Sequence, residues 1–254
     1  MLIYYHKQKG RGKKMKKLVV ITGASSGFGK EMAILFSKHG YPTLLLARNV
    51  KPIEELNLDN CIIKSVDVTD INALKDAINV AENRFGPVDL LINNAGCMLL
   101  GNIENQDPEE WARMINLNLI GVLNGIQQVL TKMKERNSGT IINVSSIAGK
   151  KAFSNHAAYC ATKFGVHAIS ETLREEVSSF NVRILCLAPG ACETPLLSHT
   201  TNKDIINDYN AWKETMGGIT LDPSHIATCS LFMYQLPQEV SIRELVISHT
   251  RQDS

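Results

Sequence analysis

Short runs of apolar residues recur along the chain, separated by longer segments in which polar residues are frequent. Most runs hold five or six residues, with Val, Ile and Leu at successive positions. A continuous apolar run of this length is typical of a β-strand buried on both faces of a parallel sheet. The pattern predicts seven strands, at residues 17–22, 43–47, 61–66, 88–93, 140–144, 182–187 and 243–248.

The segments between these runs carry apolar residues at helical spacing. Residues 30–39, for example, are followed by Gly40, which is a helix stop signal. Asp107 and Pro108 form a strong helix start, because the aspartate can cap the first turn and proline fits there. The spacing predicts helices at 30–39, 51–56, 71–85, 108–134, 157–179 and 223–235, and an irregular lid over 194–220.

Strands and helices therefore alternate from residue 17 onward. This alternation predicts an α/β fold: a single doubly wound (Rossmann) parallel seven-stranded sheet with helices on both faces. No linker-like segment interrupts residues 17–250, so we expect one domain over residues 17–254. Sheets of this kind bind their ligands at the carboxyl ends of the strands.

The composition agrees with one folded domain and argues against several function classes. Hydrophobic residues make up 44% of the 254 residues and charged residues 20%, which is enough for a sizeable core. The formal net charge is only +2, from 27 Lys and Arg against 25 Asp and Glu, so we expect no nucleic-acid partner. No apolar run approaches the roughly 18 residues of a membrane-spanning helix, so we expect no membrane partner.

The first residues differ from the rest, since residues 1–17 are rich in lysine and contain no acid. We interpret residues 1–16 as a basic, disordered N-terminal extension, with Met15 as a plausible start of a shorter chain. The alternative is a weak anion-binding arm.

The six cysteines form no CxxC pair, and the seven histidines have no ligand spacing with them. This usage favours reduced, buried thiols in a cytoplasmic protein over a disulfide framework or a metal site.

A glycine-rich loop follows the first predicted strand. Its spacing is GxxxGxG, and it consists of Gly23, Ala24, Ser25, Ser26, Gly27, Phe28 and Gly29. Glycines allow a tight turn and let the backbone approach a pyrophosphate, which then meets the N-terminus of the next helix. The loop is not a magnesium-binding phosphate loop, because Glu31 rather than Ser or Thr follows Lys30. It predicts a dinucleotide site, with an ordinary tight turn as the alternative.

The residue after the second predicted strand bears on the choice of cofactor. Dinucleotide sites that prefer NAD tend to place an acid there, against the ribose 2′-hydroxyl. This chain has Arg48, which can hold a 2′-phosphate by a charge-assisted hydrogen bond. We therefore predict NADP(H) over NAD(H); the alternative is a solvated surface arginine.

Tyr159 and Lys163 are four residues apart at the start of a predicted helix. Such residues share a helix face, so the phenol and the ammonium can point into one cleft. A free tyrosine has a pKa of about 10, and a nearby ammonium lowers it, which makes the phenol a usable proton donor to a carbonyl. The alternative is an ordinary helix pair.

Ser146 ends the fifth predicted strand, thirteen residues before Tyr159. Its hydroxyl could orient a substrate oxygen. Ser145 is the competing choice, because neighbouring strand residues face opposite sides.

Taken together, these motifs resemble the short-chain dehydrogenase/reductase family over about residues 17–250. The resemblance is carried by the GxxxGxG loop, Asn93-Asn94-Ala95-Gly96, Ser146, Tyr159 and Lys163. It implies that Tyr159 is the general acid and base, that Lys163 lowers its pKa and holds the nicotinamide ribose, and that Ser146 orients the carbonyl.

The resemblance also implies that Asn118 holds a proton-relay water. Asn116 is the other candidate for this asparagine. Asn118 is favoured because it lies three residues before Gly121, as the family's pattern requires.

The cofactor contacts are implied by the same resemblance. They include adenine contacts from Asp67 and Val68, and a nicotinamide segment at Pro189, Gly190 and Thr194. The full set is Gly23, Ser25, Ser26, Gly27, Phe28, Arg48, Asp67, Val68, Asn94, Ala95, Gly96, Tyr159, Lys163, Pro189, Gly190 and Thr194.

Among subfamilies, the Gly-Phe-Gly loop end and the tail at 236–245 resemble the NADP-dependent 3-hydroxy acid dehydrogenases, although prenol dehydrogenases have similar tails. A homodimer or homotetramer is also implied, because the helices at 108–134 and 157–179 pair across a two-fold axis in this family.

The expected substrate cavity is mostly apolar and suits an aliphatic or aromatic carbonyl. Its expected lining is Met98, Leu99, Phe153, His156, Leu196, Leu197, Trp212 and Met216. No arginine is placed to meet a carboxylate, which weakens the case for a hydroxy acid. Glu193 either points to solvent or recognises a substrate amine or hydroxyl, and His156 is either a helix-start residue or a catalyst.

These features predict an NADP(H)-dependent carbonyl reductase or alcohol dehydrogenase for a small substrate, with a 3-hydroxy acid as one candidate. Two alternatives stay open: a 3-oxoacyl carrier protein reductase and a non-catalytic nucleotide-sensing regulator. The first would need a basic patch, whereas residues 120–180 show only scattered lysines, and the second would not need the catalytic side chains.

Overall fold

The computed structural model describes residues 16–218 and 220–252, so residues 1–15 of the predicted extension lie outside its described part. The predicted seven-stranded parallel sheet is confirmed. The strands are β1 (Leu18–Thr22), β2 (Thr43–Ala47), β3 (Cys61–Ser65), β4 (Val88–Asn93), β5 (Gly139–Val144), β6 (Val182–Pro189) and β7 (Glu244–Ile247).

Helices follow the strands as the spacing predicts. They are α1 (Gly27–Lys38), α2 (Lys51–Glu54), α3 (Ile71–Phe85), α4 (Pro108–Ile115), α5 (Gly121–Glu135), α6 (Ala157–Glu176), α7 (Lys203–Thr215) and α8 (Pro223–Gln235). The predicted single helix over 108–134 is interrupted, because Asn116–Ile120 forms a π-helical turn between α4 and α5.

The strand order is β3-β2-β1-β4-β5-β6-β7, and every neighbouring pair is parallel. The chain winds outward from β1 to β3, returns to β4 beside β1, and then winds outward in the other direction. The winding therefore reverses between β1 and β4, which is where sheets of this kind bind ligands.

Two layers of core explain why the strands are continuously apolar. In β1, Leu18 and Val20 pack against α3, α5 and α6, whereas Val19 and Ile21 pack against α1 and α8. Successive strand residues face opposite sides, so a strand covered on both sides needs apolar residues at every position.

Aspartate caps fix the starts of two helices. The Asp107 carboxylate accepts a hydrogen bond from the main-chain N–H of Glu109, and Pro108 occupies the first turn of α4, as predicted. Asp70 accepts from the N–H groups of Asn72 and Ala73 at the start of α3. These caps satisfy N–H groups that have no partner inside the helix.

The prediction of an irregular lid over 194–220 is wrong for most of that segment. It contains a 3-10 turn at Pro195–His199 and the whole of α7. The helix begins because the Asn202 side chain caps it, accepting from the N–H groups of Asp204 and Ile205. Its buried face is narrow, with only Ile205 fully buried, so the apolar spacing in the sequence is weak.

Among the helices of the described residues, none has both the length and the apolar character needed to cross a membrane.

Candidate active site

The glycine loop turns between β1 and α1 in a conformation that depends on its glycines. Gly23 and Gly27 both have positive φ, at 66° and 49°. A Cβ on Gly29 would lie 2.2 Å from the Gly23 carbonyl oxygen, and a Cβ on Gly23 would lie 2.8 Å from the Cα of Ala95. The loop therefore packs backbone against backbone at the edge of the sheet, where no side chain fits.

The end of β4 is tied to this loop by hydrogen bonds. The Thr22 hydroxyl accepts from the N–H groups of Asn94 and Ala95, at 2.9 and 3.0 Å. The Asn94 carboxamide in turn donates to the carbonyl oxygens of Thr22 and Gly23. Asn94 thus holds the two strand ends at a fixed separation.

A groove of about 200 Å³ opens above these strand ends. Fourteen of the sixteen predicted cofactor residues line it: Gly23, Ser25, Ser26, Gly27, Phe28, Arg48, Asp67, Val68, Asn94, Ala95, Gly96, Tyr159, Lys163 and Thr194. Pro189 and Gly190 line a neighbouring cavity instead. The glycine loop therefore forms part of the floor of a groove, which an ordinary tight turn would not do.

Sequence reasoning missed His199 in this groove. Its imidazole Nδ1 is buried and has no hydrogen-bond partner among the described residues. Burial first, and then the charges of Arg113 and Arg48, lower the pKa of His199 below its ordinary value. No motif marks this histidine, because only the 3-10 turn at 195–199 brings it over the groove.

Arg48 and Asp67 lie at the same end of the groove. Burial acts to raise the pKa of Asp67, but hydrogen bonds from Thr69 and the charge of Arg48 outweigh it, so the pKa falls below its ordinary value. Arg48 is exposed, so its guanidinium is available at the mouth of the groove.

Tyr159 and Lys163 lie on one face of α6, and both are buried, at 4% and 8% exposure. The Tyr159 hydroxyl shares a hydrogen bond with the Ser146 side chain. Lys163 Nζ lies 5.7 Å from the centre of the Tyr159 ring and donates to the Val144 carbonyl oxygen at 3.0 Å. The structure therefore brings three of the four predicted catalytic side chains together.

The two neighbouring serines have different surroundings. Ser145 is buried and its hydroxyl donates to the Lys163 carbonyl oxygen, which fixes α6 to the end of β5. Ser146 meets the Tyr159 hydroxyl, and also accepts from the N–H of Ala148. Between the two candidates, only Ser146 hydrogen-bonds the phenol.

The expectation that Lys163 lowers the pKa of Tyr159 is wrong for the side chains of this chain. Burial raises the pKa of Tyr159 above its ordinary value, and the hydrogen bond from Ser146 offsets only part of that effect. Burial also lowers the pKa of Lys163, to about 8. The reason is desolvation, which disfavours the charged form of each group and is the largest cause of both changes.

Asn118 does not reach either cavity. Its side chain is 1% exposed and lies in the π-helical turn. The carboxamide accepts from the N–H of Cys97 and donates to the Cys97 carbonyl oxygen and the Thr162 hydroxyl. Both amide hydrogens are thus bound to protein. The side-chain carboxamide is therefore occupied, and the prediction that Asn118 holds a relay water stays a prediction; Asn116 is exposed.

A second cavity of about 320 Å³ lies beyond Tyr159. Six of the eight expected residues line it: Met98, Phe153, His156, Leu196, Leu197 and Trp212. The prediction is wrong for Leu99 and Met216, which are 2% and 1% exposed and lie in the core rather than at the cavity wall.

One face of α7 supplies cavity residues that sequence reasoning missed. Ile205, Asp208 and Tyr209 line the cavity together with the predicted Trp212. Their spacing of three, four and seven residues is that of a single helix face. A prediction of helix within residues 194–220 would have placed these four residues on one face.

His156 and Glu193 both lie at this cavity. His156 Nδ1 is 2.6 Å from the Ser154 carbonyl oxygen, and burial lowers the pKa of His156, so the ring is neutral and Nδ1–H is the donor. These contacts fit a helix-start residue. The Glu193 side chain is 75% exposed and lies 4.0 Å from Lys213, so it points largely to solvent at the rim.

All six cysteines have free thiols, as predicted, but only three are buried: Cys97, Cys160 and Cys186. Cys192 is half-buried at the wall of the second cavity, and burial raises its pKa to about 12. Within the described residues, no group of three His, Cys, Asp or Glu side chains could hold a metal ion.

Lys163→Met is expected to change how the stability of the cofactor-free protein depends on pH. The pKa of about 8 in the folded protein lies below the ordinary 10.4. Between these values the unfolded chain keeps a proton that the folded protein has lost, so stability rises with pH. From pH 8 to 10 the unfolding free energy should rise by roughly 2 kcal/mol more in the wild type than in the variant. Urea unfolding at both pH values measures this difference, and equal pH dependence in the two proteins would contradict it.

Comparison with known proteins agrees with this geometry. Residues 17–205 match the short chain dehydrogenase family model. An uncharacterised oxidoreductase of Staphylococcus saprophyticus is 39% identical over 242 residues, covering 93% of this chain and 97% of that protein. The glycine betaine reductase of Emericella nidulans is 32% identical over 237 residues, covering 91% of this chain but 18% of that protein.

A solved structure is similar over almost the same span. The closed form of a serine dehydrogenase complexed with NADP+ matches with a TM-score of 0.86 at 28% identity, covering 93% of this chain and 96% of that one. With a family model that spans most of the chain and a 39% identical relative that is matched over 97% of its length, this protein belongs to the short-chain dehydrogenase family and is an oxidoreductase.

Proposed function

We propose that the protein is an NADP(H)-dependent oxidoreductase that interconverts a small alcohol and the corresponding carbonyl compound. The observation that carries this proposal is the position of Tyr159, which lies in the wall shared by the groove and the second cavity, hydrogen-bonded to Ser146. A cofactor in the groove and a substrate in the cavity would then meet at one phenol.

The groove fits a phosphate-bearing dinucleotide. Its floor is backbone, because a Cβ on Gly23 or Gly29 would overlap neighbouring atoms. His199 Nδ1 is a buried nitrogen with no partner among the described residues, and the Arg48 guanidinium is exposed at the adenosine end. Backbone N–H groups at the start of α1 favour a pyrophosphate by the same physics as other helix N-termini. The likeness to a serine dehydrogenase complexed with NADP+ supports the same cofactor.

The side chains around Tyr159 have separable roles in this proposal. When bound, NADPH supplies the hydride that reaches the carbonyl carbon. Tyr159 donates its proton to the carbonyl oxygen during reduction and takes it back during oxidation. Ser146 orients that oxygen by a hydrogen bond, and Lys163 holds the cofactor ribose. Asn118 is a positioning residue, because it ties the end of β4 to α6 through Cys97 and Thr162.

A 3-hydroxy acid is the second candidate substrate, and the likeness to serine dehydrogenase favours it. The cavity argues against it, because its lining within residues 16–218 and 220–252 contains no arginine. Its Lys213 is already 4.0 Å from Glu193. The glycine betaine reductase relative assigns no substrate here, since this chain spans 18% of it.

A substrate panel tests the function. Purified protein with NADPH should reduce some members of a set of short 3-oxo acids, aldehydes and quinones, and the rate should depend on Tyr159. Tight NADPH binding without oxidation of NADPH by any member would favour the nucleotide-sensing regulator instead.

Arg48→Ala should weaken the use of NADPH selectively. A guanidinium hydrogen-bonded to a phosphate contributes about 1.5–3 kcal/mol, so kcat/KM for NADPH should fall about 10- to 100-fold while that for NADH changes little. Initial rates with both cofactors measure the ratio. Equal losses for the two cofactors would mean that Arg48 does not recognise the 2′-phosphate.

We further propose a homodimer or homotetramer in the cytoplasm. The support for the first interface is that α4, α5, α6 and the turn between α4 and α5 each expose an apolar side chain: Ile115, Ile120, Leu123 and Phe164. A second exposed group, Phe232, Val240 and Val246, supports a tetramer. Six free thiols support a reducing compartment.

Phe164→Glu should dissociate the assembly, because it introduces an unpaired charge into an apolar interface. Val80→Glu is the matched control, since Val80 is equally exposed but lies on α3. Light scattering should show a smaller particle for the first variant only. A wild-type monomer would refute the proposal.

A further inference from the structure

The cavity beyond Tyr159 is walled by a row of aromatic rings. Ring centres lie 5.6 Å apart for Phe153 and His156, 6.3 Å for His156 and Tyr209, and 5.3 Å for Tyr209 and Trp212. The row begins beside Tyr159, whose ring centre is 6.3 Å from that of His156. A substrate whose carbonyl lies at Tyr159 therefore extends its far end along these rings.

The rings carry no charge of their own. His156 is half-buried and donates from Nδ1 to the Ser154 carbonyl oxygen, and because burial lowers the pKa of its ring below the ordinary value, the ring is neutral at pH 7. Aromatic faces carry negative partial charge and attract a cation placed over them. Lys151 illustrates this from outside the cavity, since its ammonium lies 5.5 Å from the centre of the Phe153 ring.

The charged side chains that line the cavity have a surplus of acid. Glu193 and Asp208 are both exposed at its mouth, and among the described residues Lys213 is the only lysine or arginine in the lining. Lys213 lies 4.0 Å from Glu193, so these two charges offset each other and Asp208 carries the surplus. No described ion pair involves Asp208. A carboxylate entering here would meet two acids and an engaged lysine.

We propose that the carbonyl or alcohol substrate carries a cation, a quaternary or protonated amine, at the end remote from the reacting carbon. This inference rests on the proposed oxidoreductase function and adds the charge of its substrate. The Tyr209 and Trp212 rings supply cation–π attraction, and Asp208 leaves a net negative charge at the mouth. The same features disfavour an acidic substrate.

Three methyl ketones of matched shape test the proposal with NADPH as cofactor. They are 5-(trimethylammonio)pentan-2-one, its uncharged carbon isostere 6,6-dimethylheptan-2-one, and the anionic 5-oxohexanoate. We expect kcat/KM for the cation to exceed that of the isostere by about fivefold or more, and the anion to be the poorest. A compound that is turned over too slowly is ranked by its inhibition constant against the best carbonyl of the substrate panel.

The outcomes separate this inference from the proposed function. If the isostere is reduced as well as the cation, the inference is overturned while the oxidoreductase function stands. If 5-oxohexanoate is preferred, the inference is also overturned and Lys213 becomes the candidate carboxylate anchor. If neither reduction nor inhibition occurs with any of the three ketones, this inference fails, and the proposed function is judged by the wider panel.

Matched variants locate the effect. Trp212→Leu should reduce the ratio of cation to isostere, whereas Trp212→Phe should keep most of it, because a ring remains. Asp208→Asn should also lower the ratio and weaken its dependence on salt. Asp204→Asn is the control, because Asp204 is an exposed acid one turn earlier on α7 and outside the cavity lining. Equal changes in the Asp208 and Asp204 variants would contradict the proposal.

Discussion

Tyr159→Phe should lower kcat for carbonyl reduction by about two to four orders of magnitude, the range expected when a general acid is lost. The substitution removes one hydroxyl whose hydrogen bond is to Ser146 and leaves the buried ring in place. NADPH affinity and the free energy of unfolding should therefore change little. Steady-state kinetics, NADPH fluorescence titration and urea unfolding measure the three quantities.

Tyr41→Phe is the control for this variant. Tyr41 is another buried tyrosine, 7% exposed, but it packs against Phe36 and Tyr234 on the α1 and α8 side of the sheet. Loss of the Tyr41 hydroxyl should leave turnover unchanged. Undiminished turnover in a folded Tyr159→Phe protein would show that Tyr159 is not the proton donor.

The raised pKa of Tyr159 also gives the reaction a direction-dependent pH profile. Burial keeps the phenol protonated at neutral pH, which suits proton donation in reduction. Oxidation needs the deprotonated form. Alcohol oxidation should therefore become faster as pH rises above 8, while carbonyl reduction does not.

Gly29→Ala should disrupt the cofactor groove. The added Cβ would lie 2.2 Å from the Gly23 carbonyl oxygen and 2.6 Å from Asn94 Nδ2. Rotamer changes cannot relieve an overlap with backbone, so the loop or α1 must move. Overpacking of this kind costs about 1–3 kcal/mol, which exceeds the roughly 1 kcal/mol by which Ala favours a helix over Gly. We expect a lower melting temperature and at least a tenfold weaker NADPH affinity.

Gly40→Ala is the control that distinguishes the effect of steric overlap at Gly29 from the effect of backbone strain. Gly40 has a φ of 75°, and beyond its two chain neighbours no atom of the described residues lies within 4 Å of where its Cβ would be. This variant should lose some stability through strain alone and keep its NADPH affinity. If Gly29→Ala binds NADPH as tightly as the wild type, the loop does not form the cofactor floor.

The sheet could be predicted almost completely because local sequence carries the needed information. Leu18 to Ile21 are apolar at every position, and only a strand covered on both faces requires that pattern. Asp107 and Pro108 marked the start of α4 for the same kind of reason, since a cap acts within one turn of chain.

The cavity could not be predicted as well, because its walls come from elements far apart in sequence. Phe153 and Tyr209 are brought to one cavity only by the packing of α7, whose own apolar face is narrow. Met216 follows the end of α7 but is buried in the core, a distinction that depends on which way the helix is turned. Side-chain direction in such a segment is set by tertiary contacts, and residue type alone does not reveal it.

The amino-acid sequence by itself determined the order of the seven strands, the glycine loop and the placement of Tyr159 and Lys163 on one helix face, because each follows from short-range spacing. The tertiary structure alone decided which serine meets the phenol, that Asn118 is held by Cys97 and Thr162, and that burial raises the pKa of Tyr159. These properties depend on solvent exclusion and on contacts across the sheet, which no local pattern records.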